Sequence, residues 1–230
     1  MKFPFSFHRS AYLIGLLIFL AACVPSPDSK PSDPLAVQEQ IPAPTLPIAT
    51  TEPIITLPLT VYILDDASGE QSSTRSAAQL RDVYERVNNI WAQANIMIEV
   101  QAIQRIKVPP AYLTMVSSRE FERFFNGIGQ DFSLPEPSLL NAFYAAGIGG
   151  PNGITPSGTR VFFVTDFPSV HHERVTSHEI GHILGLHHTL SDPQRLMFSG
   201  TNGTNLTAEE ITTVRYAAQG LLVRNHQSSP

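Results

Sequence analysis

Hydrophobic and polar positions divide the chain into three stretches. Ala11 to Ala22 is apolar without a charge, prolines interrupt every period up to Pro58, and regular periods begin at Leu59. Leu59–Asp65 (LTVYILD) is a β-rich run closed by Asp65 and Asp66, which predicts a strand. From Ser73 onward a long helix is expected. Its stripe is Leu80, Val83, Tyr84, Val87, Ile90, Trp91 and Ala94, at three- and four-residue steps, with Trp91 in the core. Ile96–Ile106 alternates in its first half and predicts a second strand. Ser117 and Glu120 have the spacing of a capping box ahead of Phe121–Phe125, so a short helix is expected there. Residues 139–147 (LLNAFYAAG) and 159–167 (TRVFFVTDF) are two more strand candidates, separated by a glycine-rich loop at 147–158. Thr207 and Glu210 cap a last helix over 208–220, with Ile211, Val214, Tyr216 and Leu221 facing inward. Strands and helices in this alternation predict an α/β (α+β) fold.

The chain has 230 residues and a formal net charge of −5, with no block of Lys or Arg. That argues against nucleic acid, which needs a basic face. Lys2 and Arg9 precede the apolar run, which is shorter than the ~20 residues of a membrane-spanning helix. Residues 1–22 therefore predict an export signal. The run ends in Leu20–Cys23 (LAAC), which resembles the bacterial lipobox, and Cys23 is the chain's one cysteine. The resemblance implies that Cys23 is acylated and holds the chain to a bacterial membrane, on the cell surface or the periplasmic face. Residues 23–58, rich in proline, read as a lipid-anchored linker of polyproline II character, able to reach ~100 Å at ~3.1 Å per residue. Residues 59–226 are expected to form one domain by size, and 227–230 a tail.

The densest chemistry is the stretch HEIGHILGLHH, from His178 to His188. His178 and His182 are four apart, so on a helix they share one face and their rings converge. Glu179 is turned by about 100°, beside an ion held by the pair. That suits a carboxylate which takes the proton of metal-bound water. His188 is six residues beyond His182. On an unbroken helix it would sit roughly 9 Å further along and about 240° round, facing away. Gly185 stands between them, and glycine accepts the left-handed conformation that ends a helix. If the helix stops there, three imidazoles meet and leave a fourth position open, as in a catalytic zinc site. His187 is wrongly spaced to join. His171 and His172 are expected to be exposed. Asp166 is a candidate to orient a ligand histidine from behind.

His178-Glu179-x-x-His182-x-x-Gly185-x-x-His188 resembles the extended zinc motif of the metzincin clan of metallopeptidases. Met197, within Leu196–Phe198, resembles that clan's methionine turn in its matrixin version, although Ser199 stands where some branches carry a tyrosine ligand. The resemblance implies a twisted mixed sheet with a long backing helix, an active-site helix and a C-terminal helix. It implies one catalytic Zn2+ on His178, His182 and His188, Glu179 as general base, and Gly185 and Met197 as structural parts of the site. It implies a peptide or protein substrate outside the cytoplasm, lying antiparallel to an edge strand within 147–158. No Asp-rich loop supports a structural calcium, and no free cysteine remains to block the site. A non-catalytic zinc-containing binding or adhesion module is the alternative, but it would have no use for Glu179. Zinc capture for transport is disfavoured, because cargo sites are mobile histidine tracts.

Overall fold

The computed structural model describes residues 52–131 and 140–228. The expected export signal, Cys23 and the expected linker as far as residue 51 lie outside them. The described chain runs β1 (Ile55–Asp66), α1 (Ala77–Trp91), a 3-10 turn (Ala92–Ala94), β2 (Ile96–Val108), α2 (Pro110–Ser117), α3 (Phe121–Asp131), β3 (Leu140–Ala145), β4 (Gly153–Ile154), β5 (Val161–Thr165), α4 (His172–Ile183) and α5 (Ala208–Ser228). The strands make one mixed sheet in the order β2-β1-β3-β5-β4. All neighbours are parallel except β4, which lies antiparallel on the edge beside β5.

The unbroken apolar character of β1 follows from this layering. Val61 and Ile63 point into a core shared with α1, α4 and α5, whereas Tyr62 and Leu64 point into a second core with α2 and α3. A parallel strand covered on both faces has no solvent side on which polar residues could alternate. β1 begins at Ile55, inside the stretch expected to be linker. Pro58 is tolerated because pairing with β3 starts only at Leu59, so β1 has one neighbour there.

The stripe expected of α1 is buried throughout, Trp91 and Ala94 included. Its start is later than expected. Ser76 is the cap: its Oγ accepts from Gln79 N at 3.1 Å and its N–H donates to Gln79 Oε1 at 2.9 Å. The Ser117–Glu120 pattern is not a cap. Ser117 ends α2 and its Oγ donates to Leu113 O at 3.0 Å, while Glu120 pairs with Arg123. No hydrophobic period marks α2, and Pro110 in its first turn is its one sequence signal. The Thr207–Glu210 box does form, with Glu210 N donating to Thr207 Oγ1 at 3.2 Å and Thr207 N to Glu210 Oε2 at 2.9 Å. α5 runs on past Gly220 to Ser228, and Val214, Ala218 and Leu221 make its buried face. Tyr216 is 81 % exposed, a correction that helical geometry explains, since it sits about 200° round from Val214.

Asp166, just past β5, is a structural hub at 1 % exposure. It accepts from Ser73 Oγ at 2.9 Å, Thr74 N at 2.5 Å and Thr74 Oγ1 at 3.1 Å, and Arg75 Nε lies 3.8 Å away. These contacts draw the segment before α1 across the end of the sheet, and they explain why Ser73 cannot open the helix. Asp166→Ala would leave these donors without a partner and is expected to cost about 3 kcal/mol of stability, read from the urea midpoint of chemical unfolding.

Candidate metal centre

α4 carries the first two histidines and is buried almost all round from Arg174 to Gly181. It is anchored at both ends. His171 caps it, donating its N–H to Asn202 Oδ1 at 2.7 Å, and Glu173 in the first turn pairs with Arg86 of α1 at 3.1 Å. At the other end Gly185 has φ +87, in the left-handed region. Gly185 N donates to His182 O at 3.1 Å and Leu186 N to Gly181 O at 2.9 Å, the paired bonds of a glycine-terminated helix. The chain reverses there, and His188 comes back to the other two.

His178 Nε2 and His182 Nε2 each lie 3.1 Å from His188 Nε2. Each of the first two rings has its other nitrogen facing a backbone carbonyl, His178 Nδ1 to Leu196 O at 2.8 Å and His182 Nδ1 to Leu186 O at 3.0 Å. A neutral imidazole donating from Nδ1 must present a lone pair at Nε2. His178 and His182 thus turn lone pairs toward His188 Nε2, and three imidazole nitrogens this close can share one cation. The spacing is near the ~3.3 Å between nitrogens that are ~2.0–2.1 Å from one tetrahedral ion. His178, His182 and His188 form the one group among the described residues placed to hold a metal in this way. Burial pushes the His178 imidazole down to about 3, and burial lowers His182 as well, which keeps both in the ligating form.

Glu179 is 5 % exposed and lies against β4. Thr155 Oγ1 is 2.8 Å from Glu179 Oε2 and 3.1 Å from Glu179 O. A Cβ on Gly153 would meet Glu179 Oε1 at 2.5 Å, so that position needs glycine to let the carboxylate in. Burial pushes the Glu179 carboxyl up to about 7, against the downward pull of the Thr155 hydrogen bond and the Arg174 charge. All four groups line a cleft of ≈ 1060 Å³ along β4.

Met197 is fully buried under α4, and a Cβ on Gly181 would come within 2.8 Å of its Sδ. Asp166 does not back a ligand histidine, because its oxygens are spent on residues 73–75. Backbone carbonyls fill that role, and no side-chain signal announces them. His172 is half-buried against Arg75 rather than exposed, while His171 is exposed as expected; His187 is exposed and stands outside the three-histidine group. Thr155, Gly153 and Arg174 stand out only in the structure. The first two sit in the glycine-rich loop, where β4 forms.

No protein-family model and no curated protein matches the chain. Among solved structures it is similar to archaemetzincin from Methanopyrus kandleri, with 16% identity over 75% of this chain and 99% of that one and a TM-score of 0.48. It is also similar to a chain in a chaperone-substrate complex (16% identity, 75% of this chain and 36% of that one, TM-score 0.47). A third is metalloproteinase-II from Bacteroides fragilis (14% identity, 73% of this chain and 55% of that one, TM-score 0.43).

The buried carboxylate generates a prediction for metal-free protein. A group whose pKa is raised by folding stabilises fully below its unfolded value of 4.5, and that contribution is lost as pH rises through about 7. Glu179→Gln removes the cost of burying the charge. Chelator-stripped Glu179→Gln should therefore melt higher than wild type at pH 8, by on the order of 3 kcal/mol. The gain should shrink to near zero towards pH 4.5, followed by thermal melts across that range.

Proposed function

We propose that the chain is an exported, lipid-anchored zinc endopeptidase of the metzincin clan. In this reading His178, His182 and His188 are the zinc ligands and Glu179 is the general base. The observation that carries it is the meeting of three imidazole Nε2 atoms in one cleft with a buried carboxylate. When bound, zinc supplies a Lewis acid that polarises a peptide carbonyl and makes a water molecule more acidic. Glu179 takes that water's proton and returns it to the leaving amine. Thr155 engages Oε2, which leaves Oε1, beside the bare Cα of Gly153, as the oxygen that moves the proton. The β4 edge offers backbone groups to an extended substrate that joins the sheet as a further antiparallel strand. The Leu186 and Leu196 carbonyls keep the ligand rings in one tautomer and orientation.

A non-catalytic binding module is the weaker reading. Burying a carboxylate costs stability, and a site that only binds metal gains nothing from it. The matrixin-like branch rests on Leu196–Phe198 alone. The membrane anchor rests on Leu20–Cys23 and on the prolines that follow.

Glu179→Ala should lower peptide hydrolysis by about 10³-fold while zinc still binds one per chain, checked by metal analysis beside a casein or peptide-library digest. Undiminished cleavage by metal-replete Glu179→Ala would sink the mechanism. The anchor has its own readout. In a bacterial host fed labelled palmitate, the wild-type chain should take up label and enter the membrane fraction, and Cys23→Ala should do neither. An unlabelled wild-type chain counts against the anchor and leaves the peptidase reading intact.

A further inference from the structure

Arg174 sits one helical turn before His178, on the same face of α4. It is 4 % exposed and lines the cleft that holds the three histidines. Burying an arginine is costly, because its charge leaves water and partners offset only part of the loss. The offset is incomplete here, since Nε is buried with no hydrogen-bond partner among the described residues. The Glu179 carboxylate supplies an opposite charge, so the guanidinium is no free site for an anion. An apolar side chain of similar volume would pack this face at lower cost. Packing alone does not explain an arginine at this position.

Its partners do. Arg174 Nη2 donates to Leu196 O at 2.9 Å and to Phe198 O. Leu196 O is also the carbonyl that His178 Nδ1 faces at 2.8 Å. The carbonyl between them, Met197 O, accepts from Thr189 N at 3.1 Å, next to His188. Three successive carbonyls of one turn are thus engaged by the first histidine, by the residue after the third, and twice by Arg174. A single nitrogen holds the two outer carbonyls, so the outer peptide planes of the turn keep fixed directions. The His178 ring depends on one of those directions. If the Leu196 carbonyl swings, the imidazole loses the bond that sets its ring angle and its tautomer. His182 needs no such clamp, because its acceptor, Leu186 O, lies in the turn that ends its own helix.

We infer that Arg174 is a positioning residue for the metal site: it fixes the Leu196 carbonyl, through it the angle of the His178 ring, and so how tightly zinc is held. The inference rests on the zinc reading of the three histidines and not on peptide hydrolysis. Two effects of the side chain oppose each other. The clamp favours zinc, whereas a positive charge in the same cleft wall disfavours a second cation. Removing the side chain gives opposite signs for the two, which makes the role measurable.

Zinc affinity is measured by competition with a chromophoric chelator for wild type, Arg174→Met and Arg174→Lys. Methionine keeps an apolar stem and removes both the donors and the charge. Lysine keeps the charge and offers one nitrogen with several donors, as Nη2 does. Arg174→Met should bind zinc roughly 10–100-fold more weakly, the usual loss when an outer partner of a ligating histidine is removed. Arg174→Lys should recover most of that affinity. The visible spectrum of cobalt-loaded protein reports ligand geometry, and should shift in the methionine variant and return in the lysine variant. A merely structural arginine would lower the urea midpoint of metal-free protein and leave the zinc affinity and the cobalt spectrum of the folded protein unmoved. Unchanged or tighter zinc binding by folded Arg174→Met overturns the inference, and so does a lysine variant as weak as the methionine one. If Arg174→Met does not fold, Arg174→Gln, neutral and shorter, takes its place under the same outcomes. A wild type that binds no zinc overturns the zinc reading itself, whereas equal affinity of wild type and variant overturns only the role of Arg174.

Discussion

The carbonyl oxygen of Leu196 accepts two hydrogen bonds from α4, one from His178 Nδ1 at 2.8 Å and one from Arg174 Nη2 at 2.9 Å. The donors are one helical turn apart, and the acceptor lies on a turn 18 residues beyond His178. This bond makes the orientation of the first imidazole a property of the turn that carries Leu196 and Met197. The same segment holds the residue after the third histidine, since Thr189 N donates to Met197 O at 3.1 Å, and Leu196 N is tied to Asn205 O at 2.9 Å. Gln93 then fixes the following loop to the end of α1 through Thr204 O at 2.9 Å and Leu206 N at 3.2 Å. Two of the three rings are oriented by backbone carbonyls, which cannot change rotamer.

The site places opposite demands on its ionisable groups. His178 and His182 offer lone pairs only when neutral, and burial favours that form in both. The same burial disfavours the charged form of Glu179, which the proposed base role requires. Arg174, two turns of chemistry in one side chain, eases the conflict: it holds the Leu196 carbonyl and lends Glu179 a positive neighbour. Replacing the Glu179 carboxylate by a neutral group relieves the cost of its burial.

What was legible in the sequence was local. The His178–His182 spacing, the break at Gly185 and the α1 stripe each depend on helical geometry within a few residues, and each is found as expected. The β1 run was legible because double burial leaves no polar gap. What escaped notice depends on partners far along the chain. Ser73 looks like a helix start until Asp166, 93 residues away, claims its hydroxyl. Ser117 and Glu120 have the right spacing for a cap, but the helix already behind them uses Ser117 as its end. Thr155 and Gly153 were hidden in a loop with little strand character, because β4 is two residues long and is held by β5 rather than by its own propensity.

That short edge strand has a consequence for how such a chain can change over time. Gly153 and Thr155 abut the Glu179 carboxylate, so neither is free to vary without disturbing that group. The part of β4 nearest the chemistry is therefore closed to experiment. Variation in what the cleft accepts has to enter through walls contributed by other elements: the α2–α3 turn, the residue before β5 and the α5 face. These are exposed or half-buried and can be altered one at a time. Lineages descended from this scaffold should conserve the strand and diversify its surroundings.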